Sequence, residues 1–171
     1  LILPLLVCVL YLNRGKEVEE NHELQKIYIS GKNMPILTLS NGKEMILGNQ
    51  NLQLEEENGV RISMENGEMQ YERVNSVDSG LVYNTLGTPS QCDFTFILED
   101  GTRVWMNAKS SLRYPVAFHE KERVIYAEGE IYLEVAKDKH RPFFVILDGM
   151  KVEVLGTSFN INSYADEKYT E

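Results

Sequence analysis

The sequence has few of the residues from which metal sites and disulfides are built. Among its 171 residues there are two cysteines and three histidines. Neither Cys8 nor Cys92 belongs to a CxxC pair, and His22, His119 and His140 stand singly, so the spacing of zinc ligands is missing. Cys8 lies in an apolar run, which argues against a disulfide with Cys92. We expect no structural metal and no cofactor.

Positive charge is also scarce. The formal net charge is -9 at pH 7, and no stretch concentrates Lys and Arg on one face. Binding to DNA or RNA depends on such a basic surface. We therefore expect no nucleic-acid partner.

Catalytic motifs are lacking as well. The segment around Ser158 resembles a nucleophile elbow, but it has no closing glycine and no histidine follows it. No glycine-rich phosphate loop is present. Carboxylate pairs such as Glu130 with Glu134 fit a solvated strand face better than the acid and base of a glycosidase. We predict that the chain is not an enzyme and has no catalytic residues.

The first twelve residues, Leu1 to Leu12, form an uncharged apolar run. A helix of that length is about 18 Å long, less than the ~30 Å hydrocarbon core of a bilayer. We predict that residues 1–12 are the C-terminal part of a transmembrane helix that begins outside this sequence. A signal-peptide core, a lipoprotein signal ending at Cys8, and a buried strand or helix are the alternatives.

The rest of the chain divides near Asn33. Residues 13–33 are charged and poor in large aliphatic side chains, which predicts a juxtamembrane linker. Residues 34–171 are predicted to form one β domain, because four turn dipeptides stand between short alternations of apolar and polar residues: Asn41-Gly42, Asn66-Gly67, Asp100-Gly101 and Asp148-Gly149. This pattern predicts an all-β fold of short hairpins, either a β-sandwich or an irregular β-roll. The segments 39–45 and 98–104 resemble each other and predict two hairpins of the same kind.

Strand alternation indicates which side chains face the core. It is clearest at residues 130–135, where Ile131, Leu133 and Val135 are expected to point inward. Glu130, Tyr132 and Glu134 are expected on the opposite face. The segment 151–154 repeats the pattern.

The segment Arg103–Asn107 carries a candidate interface. Val104 and Met106 are expected on one face. Arg103, Trp105 and Asn107 are expected on the other. Trp and Arg together on an outer strand face are typical of interface anchors, so Arg103 and Trp105 are a candidate partner face. The alternative is that Trp105 packs under a loop or a second sheet.

Three longer runs resemble the FecR family of anti-sigma regulators in content and order. They are LEDGTRVWMNAKSSLRYPVAF from Leu98, RVIYAEGEIYLEVAKDKHRPFFV from Arg123 and VEVLGTSFNINSY from Val152. Met106 and Leu133 depart from the Leu and Phe that are usual in the family. The principal motif positions, expected to be mainly structural, are Asp100, Gly101, Trp105, Asn107, Arg113, Tyr114, Pro115, Gly129, Glu130, Pro142, Phe143, Gly156, Thr157, Phe159 and Asn160.

This resemblance implies a single-pass inner-membrane protein with the present region in the periplasm. A cytoplasmic segment outside this sequence would bind an extracytoplasmic-function sigma factor. The periplasmic part would respond to the signalling domain of a TonB-dependent outer-membrane transporter. The alternative is an envelope-anchored β-rich module that binds a carbohydrate or another ligand.

Overall fold

A computed structural model describes residues 33–48, 51–56, 59–75, 80–118, 121–154 and 156–164. The predicted membrane segment at residues 1–12, and all but the last residue of the predicted linker, lie outside these ranges. None of the described residues belongs to a helix with the length and apolar character needed to cross a bilayer.

The described ranges contain thirteen strands and no helix, so the predicted all-β fold is confirmed for them. The strands are β1 (Ile36–Thr38), β2 (Glu44–Ile46), β3 (Leu52–Glu55), β4 (Val60–Glu65), β5 (Glu68–Arg73), β6 (Tyr83–Gly87), β7 (Phe94–Ile97), β8 (Arg103–Met106), β9 (Ser111–Pro115), β10 (Arg123–Glu134), β11 (Phe143–Leu147), β12 (Met150–Val154) and β13 (Ser158–Ser163).

All four predicted turns connect antiparallel neighbours, which confirms the hairpins. They join β1 to β2, β4 to β5, β7 to β8 and β11 to β12. The two hairpins that resemble each other in sequence also share their hydrogen bonds. Leu39 N donates to Lys43 O at 2.9 Å, and Leu98 N donates to Thr102 O at 2.9 Å. The turns also share a side-chain hydrogen bond: Asn41 Oδ1 accepts the backbone N–H of Lys43, and Asp100 Oδ1 accepts that of Thr102.

Strand β10 connects two arms of one curled open sheet. Its first half pairs with β9 and, in parallel, with β11. Its second half pairs with β8 and β13. The first arm consists of β9, β6, β1 and β2 with the β11–β12 hairpin, and the second consists of β8, β7, β5, β4 and β3 with β13. The sequence left a sandwich and an irregular roll open, and the described strands form this single branched sheet.

Gly129 marks the point where β10 passes from one arm to the other. Its φ is 91°, a conformation that side chains disfavour. A Cβ at this position would lie 2.8 Å from Ser110 Cα. Ser110 Oγ accepts the N–H of Glu130 and donates to the carbonyl of the same residue, each at 3.0 Å. The serine therefore binds both backbone polar groups of the residue that follows Gly129, and Asn107 N donates to the same carbonyl at 2.9 Å.

The inward faces of both arms form one hydrophobic core. Along β10, Ile125, Ala127, Ile131 and Leu133 are buried. Burial of Ile131 and Leu133, and of Val135 just after the strand, confirms the alternation predicted for residues 130–135. Tyr71 of the second arm and Tyr114 of the first share a hydrogen bond of 2.8 Å between their hydroxyls. Burial raises the pKa of both phenols, so both stay neutral and hold the arms together in the physiological range.

A buried ion pair fixes the start of β10. Arg123 and Asp100 are 0% and 2% exposed, and Arg123 Nη1 lies 2.7 Å from Asp100 Oδ2. The guanidinium also donates to the carbonyls of Ala136 and Arg141, at 2.8 and 3.1 Å. Its carbon lies 5.1 Å from the centre of the Phe143 ring. One arginine thus joins the β7–β8 turn, β10 and the loop that leads into β11.

Replacing Gly129 with Ala is expected to lower the free energy of unfolding by about 3 kcal/mol or more, because unfavourable φ and overlap with Ser110 act together. Gly67→Ala is the matched control, since Gly67 has a φ of 82° but no atom within 4 Å of the added Cβ. It should cost only about 1–2 kcal/mol. Urea unfolding monitored by circular dichroism measures both variants. Equal losses of unfolding free energy in the two variants would show that Ser110 shifts to accommodate the added Cβ and that its close approach to Gly129 does not contribute to stability.

Asp100→Ala is expected to cost about 3–5 kcal/mol, because it leaves the buried Arg123 guanidinium without its counter-charge. Glu72→Ala removes an exposed partner, whose pair with Arg61 measures 3.6 Å, and should cost less than about 1 kcal/mol. The same urea titration compares them. A loss at Asp100 no larger than that at Glu72 would contradict the anchoring role of the ion pair.

Candidate partner-binding face

The outer face of the second arm carries a row of paired side chains across four strands, which we call the aromatic row because Trp105 and Tyr132 form its centre. Trp105 on β8 is paired in register with Thr95 on β7 and with Tyr132 on β10. Tyr132 is paired in turn with Asn160 on β13. Residues opposite one another on neighbouring strands share a face, so these side chains form one continuous surface. We call it the Trp105 face.

Strand β8 orients Trp105 outward by simple alternation. Val104 and Met106 are 0% and 1% exposed and point into the core, whereas Arg103 is exposed and Trp105 half-buried. The predicted division of faces is therefore confirmed. The indole contacts Tyr132, with ring centres 5.2 Å apart and planes inclined by 56°. Trp105 is thus held by a neighbour on the outer surface and does not enter the core.

A second row of polar side chains lies next to the aromatic row. Asn107 follows β8, and its Nδ2 donates to Glu130 Oε2 at 2.7 Å. Asn160 Nδ2 donates to the other oxygen, Glu130 Oε1, at 3.4 Å. The Glu130 carboxylate is therefore fixed by two amides. Asp93, just before β7, is exposed at the same end of the face.

A shallow cleft of about 260 Å³ lies between the two rows. Its walls are the aromatic pair on one side and the polar row on the other, and the strand ends at Phe94 and Met106 complete the lining. The lining residues include two carboxylates, Asp93 and Glu130, and neither Lys, Arg nor His. The cleft is consequently apolar on one side and acidic on the other.

Arg103 lies beside the cleft and does not line it. Its Nη1 is 4.0 Å from Glu68 Oε1, and both side chains are about half exposed, so the contact is weak. Glu134 faces Arg103 across the strand pair. The two residues predicted as a partner face thus lie on one surface, with Trp105 at its centre and Arg103 at its edge.

The other motif positions have structural surroundings. Asp100 and Gly101 form the β7–β8 turn, and Pro142 and Phe143 lie beside Arg123. The Arg113 guanidinium stacks on Tyr83 at 4.1 Å. The sequence predicted mainly structural roles for all of the motif positions. The contacts of Asp100, Arg113 and Phe143 are structural in kind. Four of the motif positions lie instead on the outer surface described above: Trp105, Asn107, Glu130 and Asn160.

Gly156 shows how tightly such a position is packed. Its φ is 117°, and an added Cβ would lie 2.9 Å from Lys137 Cα. Next to it, the carbonyl of Thr157 accepts the N–H of Val135 at 3.2 Å. The segment that leads into β13 is therefore fitted closely against the end of β10.

The described residues contain no group of three His, Cys, Asp or Glu side chains that could hold a metal ion. Cys92 is a free, half-buried thiol whose pKa is raised by burial and by the neighbouring Asp93 carboxylate. A raised pKa keeps the thiol protonated and makes it a poor nucleophile.

Alternation along β8 predicted Arg103, Trp105 and Asn107 on one face, but not the residues that other strands add to it. Alternation placed Tyr132 outward together with Glu130, and the family motif included Asn107 and Asn160. Only the register between β8, β10 and β13 brings Tyr132, Glu130 and Asn160 to Trp105. Asp93 and Thr95 carried no recognisable signal in the sequence.

Comparison with known proteins gives one family. The model of the family described as FecR protein matches residues 84–171, just over half of the chain. No curated protein matches.

Two crystal structures of a proposed anti-sigma factor from Parabacteroides distasonis are similar to the chain. They are 33% and 34% identical to it over 50% and 48% of its length, with TM-scores of 0.49 and 0.48. The chain spans about two fifths of their length, 40% and 39%.

The double variant Trp105→Ala/Arg103→Ala is expected to keep its fold and to lose about 1–2 kcal/mol of unfolding free energy, because it removes an outward aromatic pair. The control is Phe96→Ala on β7, where the ring is 0% exposed and the expected loss is about 3–5 kcal/mol. Circular dichroism and urea unfolding distinguish them. Loss of the folded spectrum in the double variant would show that Trp105 belongs to the core.

Proposed function

The chain belongs to the FecR family, and we propose that it is the periplasmic part of a membrane-anchored anti-sigma factor that relays a signal to an extracytoplasmic-function sigma factor. In this proposal a cytoplasmic segment of the whole protein holds the sigma factor, and a single membrane helix that includes residues 1–12 connects it to the β domain. The relay is not an enzyme and works through protein contacts alone.

The observation that carries this proposal is the Trp105 face. Protein interfaces are enriched in Trp, Tyr and Arg, and their strongest contacts gather around a central aromatic anchor. Trp105 and Tyr132 form such a centre on strands whose inner sides are completely buried. A rigid platform of this kind loses little conformational entropy on binding. We propose that it receives the signalling domain of a TonB-dependent outer-membrane transporter.

Strand β10 offers a physical connection from that face to the membrane side. Tyr132 lies in the second half of β10, and the first half pairs with β9, which leads through β6 to β1. Strand β1 begins at Ile36, close to the predicted linker. A partner that shifts β10 would therefore act on the first arm, where the chain enters the domain.

A second function is favoured by the cleft itself. Aromatic rings beside amides and carboxylates are suited to the apolar faces and hydroxyls of a sugar ring, as at Trp105, Asn107 and Asn160. An envelope-anchored carbohydrate-binding module is therefore the alternative. It requires neither a cytoplasmic segment nor any effect on transcription.

Deleting the gene in the bacterium that encodes this chain is expected to change transcription of a small set of promoters that share one sigma factor. Restoring the gene with Trp105→Ala/Arg103→Ala should return the protein to the envelope but leave those promoters unresponsive to the inducing signal. RNA sequencing measures both effects. Met150→Ala is the matched control, because Met150 on β12 is 60% exposed and lies on the other arm.

The control strain should respond like the wild type. Unchanged transcription after deletion, together with retained binding of a cell-envelope sugar, would replace the relay with the carbohydrate-binding module.

A further inference from the structure

We propose that the cleft of the Trp105 face binds a lysine or arginine side chain presented by an extended segment of the partner protein. The inference rests on the proposed function in one respect, namely that a protein partner docks on this face. It adds the chemistry by which that partner is recognised.

The aromatic side of the cleft is suited to a cation. A positive group within about 6 Å of a ring centre is attracted by the negative face of the ring, and Trp is the strongest natural partner. Trp105 and Tyr132 are inclined by 56° and so form a corner rather than a flat stack. Two rings in that arrangement can contact the same bound side chain.

The acidic side of the cleft lacks a counter-charge. Neither Asp93 nor Glu130 forms an ion pair with another described residue, whereas Glu99, Asp100 and Asp138 each have an arginine partner. The two amides that bind Glu130 are neutral, so they orient its carboxylate without cancelling its charge. Each carboxylate oxygen can accept a further hydrogen bond. A cation in the cleft would complete this arrangement.

Size and net charge narrow the choice of occupant. The cleft of about 260 Å³ is smaller than the roughly 300–1,000 Å³ of pockets that enclose drug-sized ligands, so it suits a single side chain. The chain has a formal charge of -9, which disfavours a second copy of itself as the occupant. A single Lys or Arg side chain from a basic segment of another protein fits the size of the cleft and is opposite in charge to this chain.

The single tryptophan of the chain makes the test direct. Trp105 is that residue, so fluorescence excited selectively at tryptophan, at a wavelength that the nine tyrosines do not absorb, reports on the cleft. The probe is a capped seven-residue peptide that alternates serine with lysine, and the matched probe replaces each lysine with glutamate. We expect a saturable change in Trp105 emission with the lysine peptide only. The affinity should fall as salt rises, because part of the attraction is screened.

Variants of the 171-residue chain locate the binding site. Glu130→Gln and Asp93→Asn are each expected to weaken binding of the lysine peptide by about three- to tenfold. Glu153→Gln on the exposed side of β12 should leave the affinity unchanged, although it removes the same charge. Circular dichroism checks that each variant keeps its fold. Asp93→Asn tests the site independently of Glu130→Gln, which could also displace the Asn107 and Asn160 amides that bind Glu130.

Three results would overturn the inference: no saturable change up to about 1 mM peptide, equal binding of the glutamate peptide, or equal weakening by Glu153→Gln. The third would indicate diffuse attraction to an acidic protein. These outcomes are independent of the transcription experiment. Peptide binding without a change in transcription would support the cation site and contradict the relay. A change in transcription without peptide binding would support the relay and contradict the cation site.

Discussion

The connection of both arms through a single strand is the constraint on which this structure depends. Strand β10 is twelve residues long and pairs with four other strands, two along each half. Its inward side chains contribute to the core from end to end, so burial holds it in place from both arms at once. Because Gly129 has a positive φ and lies close to Ser110, the two halves of β10 can pair with the strands of different arms.

The Arg123 ion pair and the Trp105 face are connected through strands β8 and β10. Arg123 at the start of β10 binds Asp100, which belongs to the turn that leads into β8. That strand then carries Trp105 to Tyr132 in the second half of β10. The buried charge therefore helps to set the register that assembles the outer surface. In this way a polar contact deep in the core supports an aromatic contact outside it.

Short sequence patterns predicted the hairpin turns and the buried faces of individual strands, because neighbouring residues determine both. The four turn dipeptides form hairpins, and the alternations at residues 103–107 and 130–135 predicted the correct buried faces. The pairing of Trp105 with Tyr132 was not predictable, because it depends on register between strands far apart in sequence. Arg123 was also missed as a buried charge, since nothing near it in the sequence identifies Asp100 as its partner. Family resemblance identified many of the same positions without their contacts.

The dual pairing of β10 also limits how chain length can vary among descendants of this sequence. An insertion or deletion of one residue in a strand exchanges its inner and outer faces. In β10 a change between Ile125 and Ile131 would put the two halves out of phase, so that one of these two side chains would point away from the core. A turn such as that at Asp148 and Gly149 joins only two strands and can absorb a change in length. We therefore expect relatives of this domain to differ in the length of such loops and to keep the length of β10.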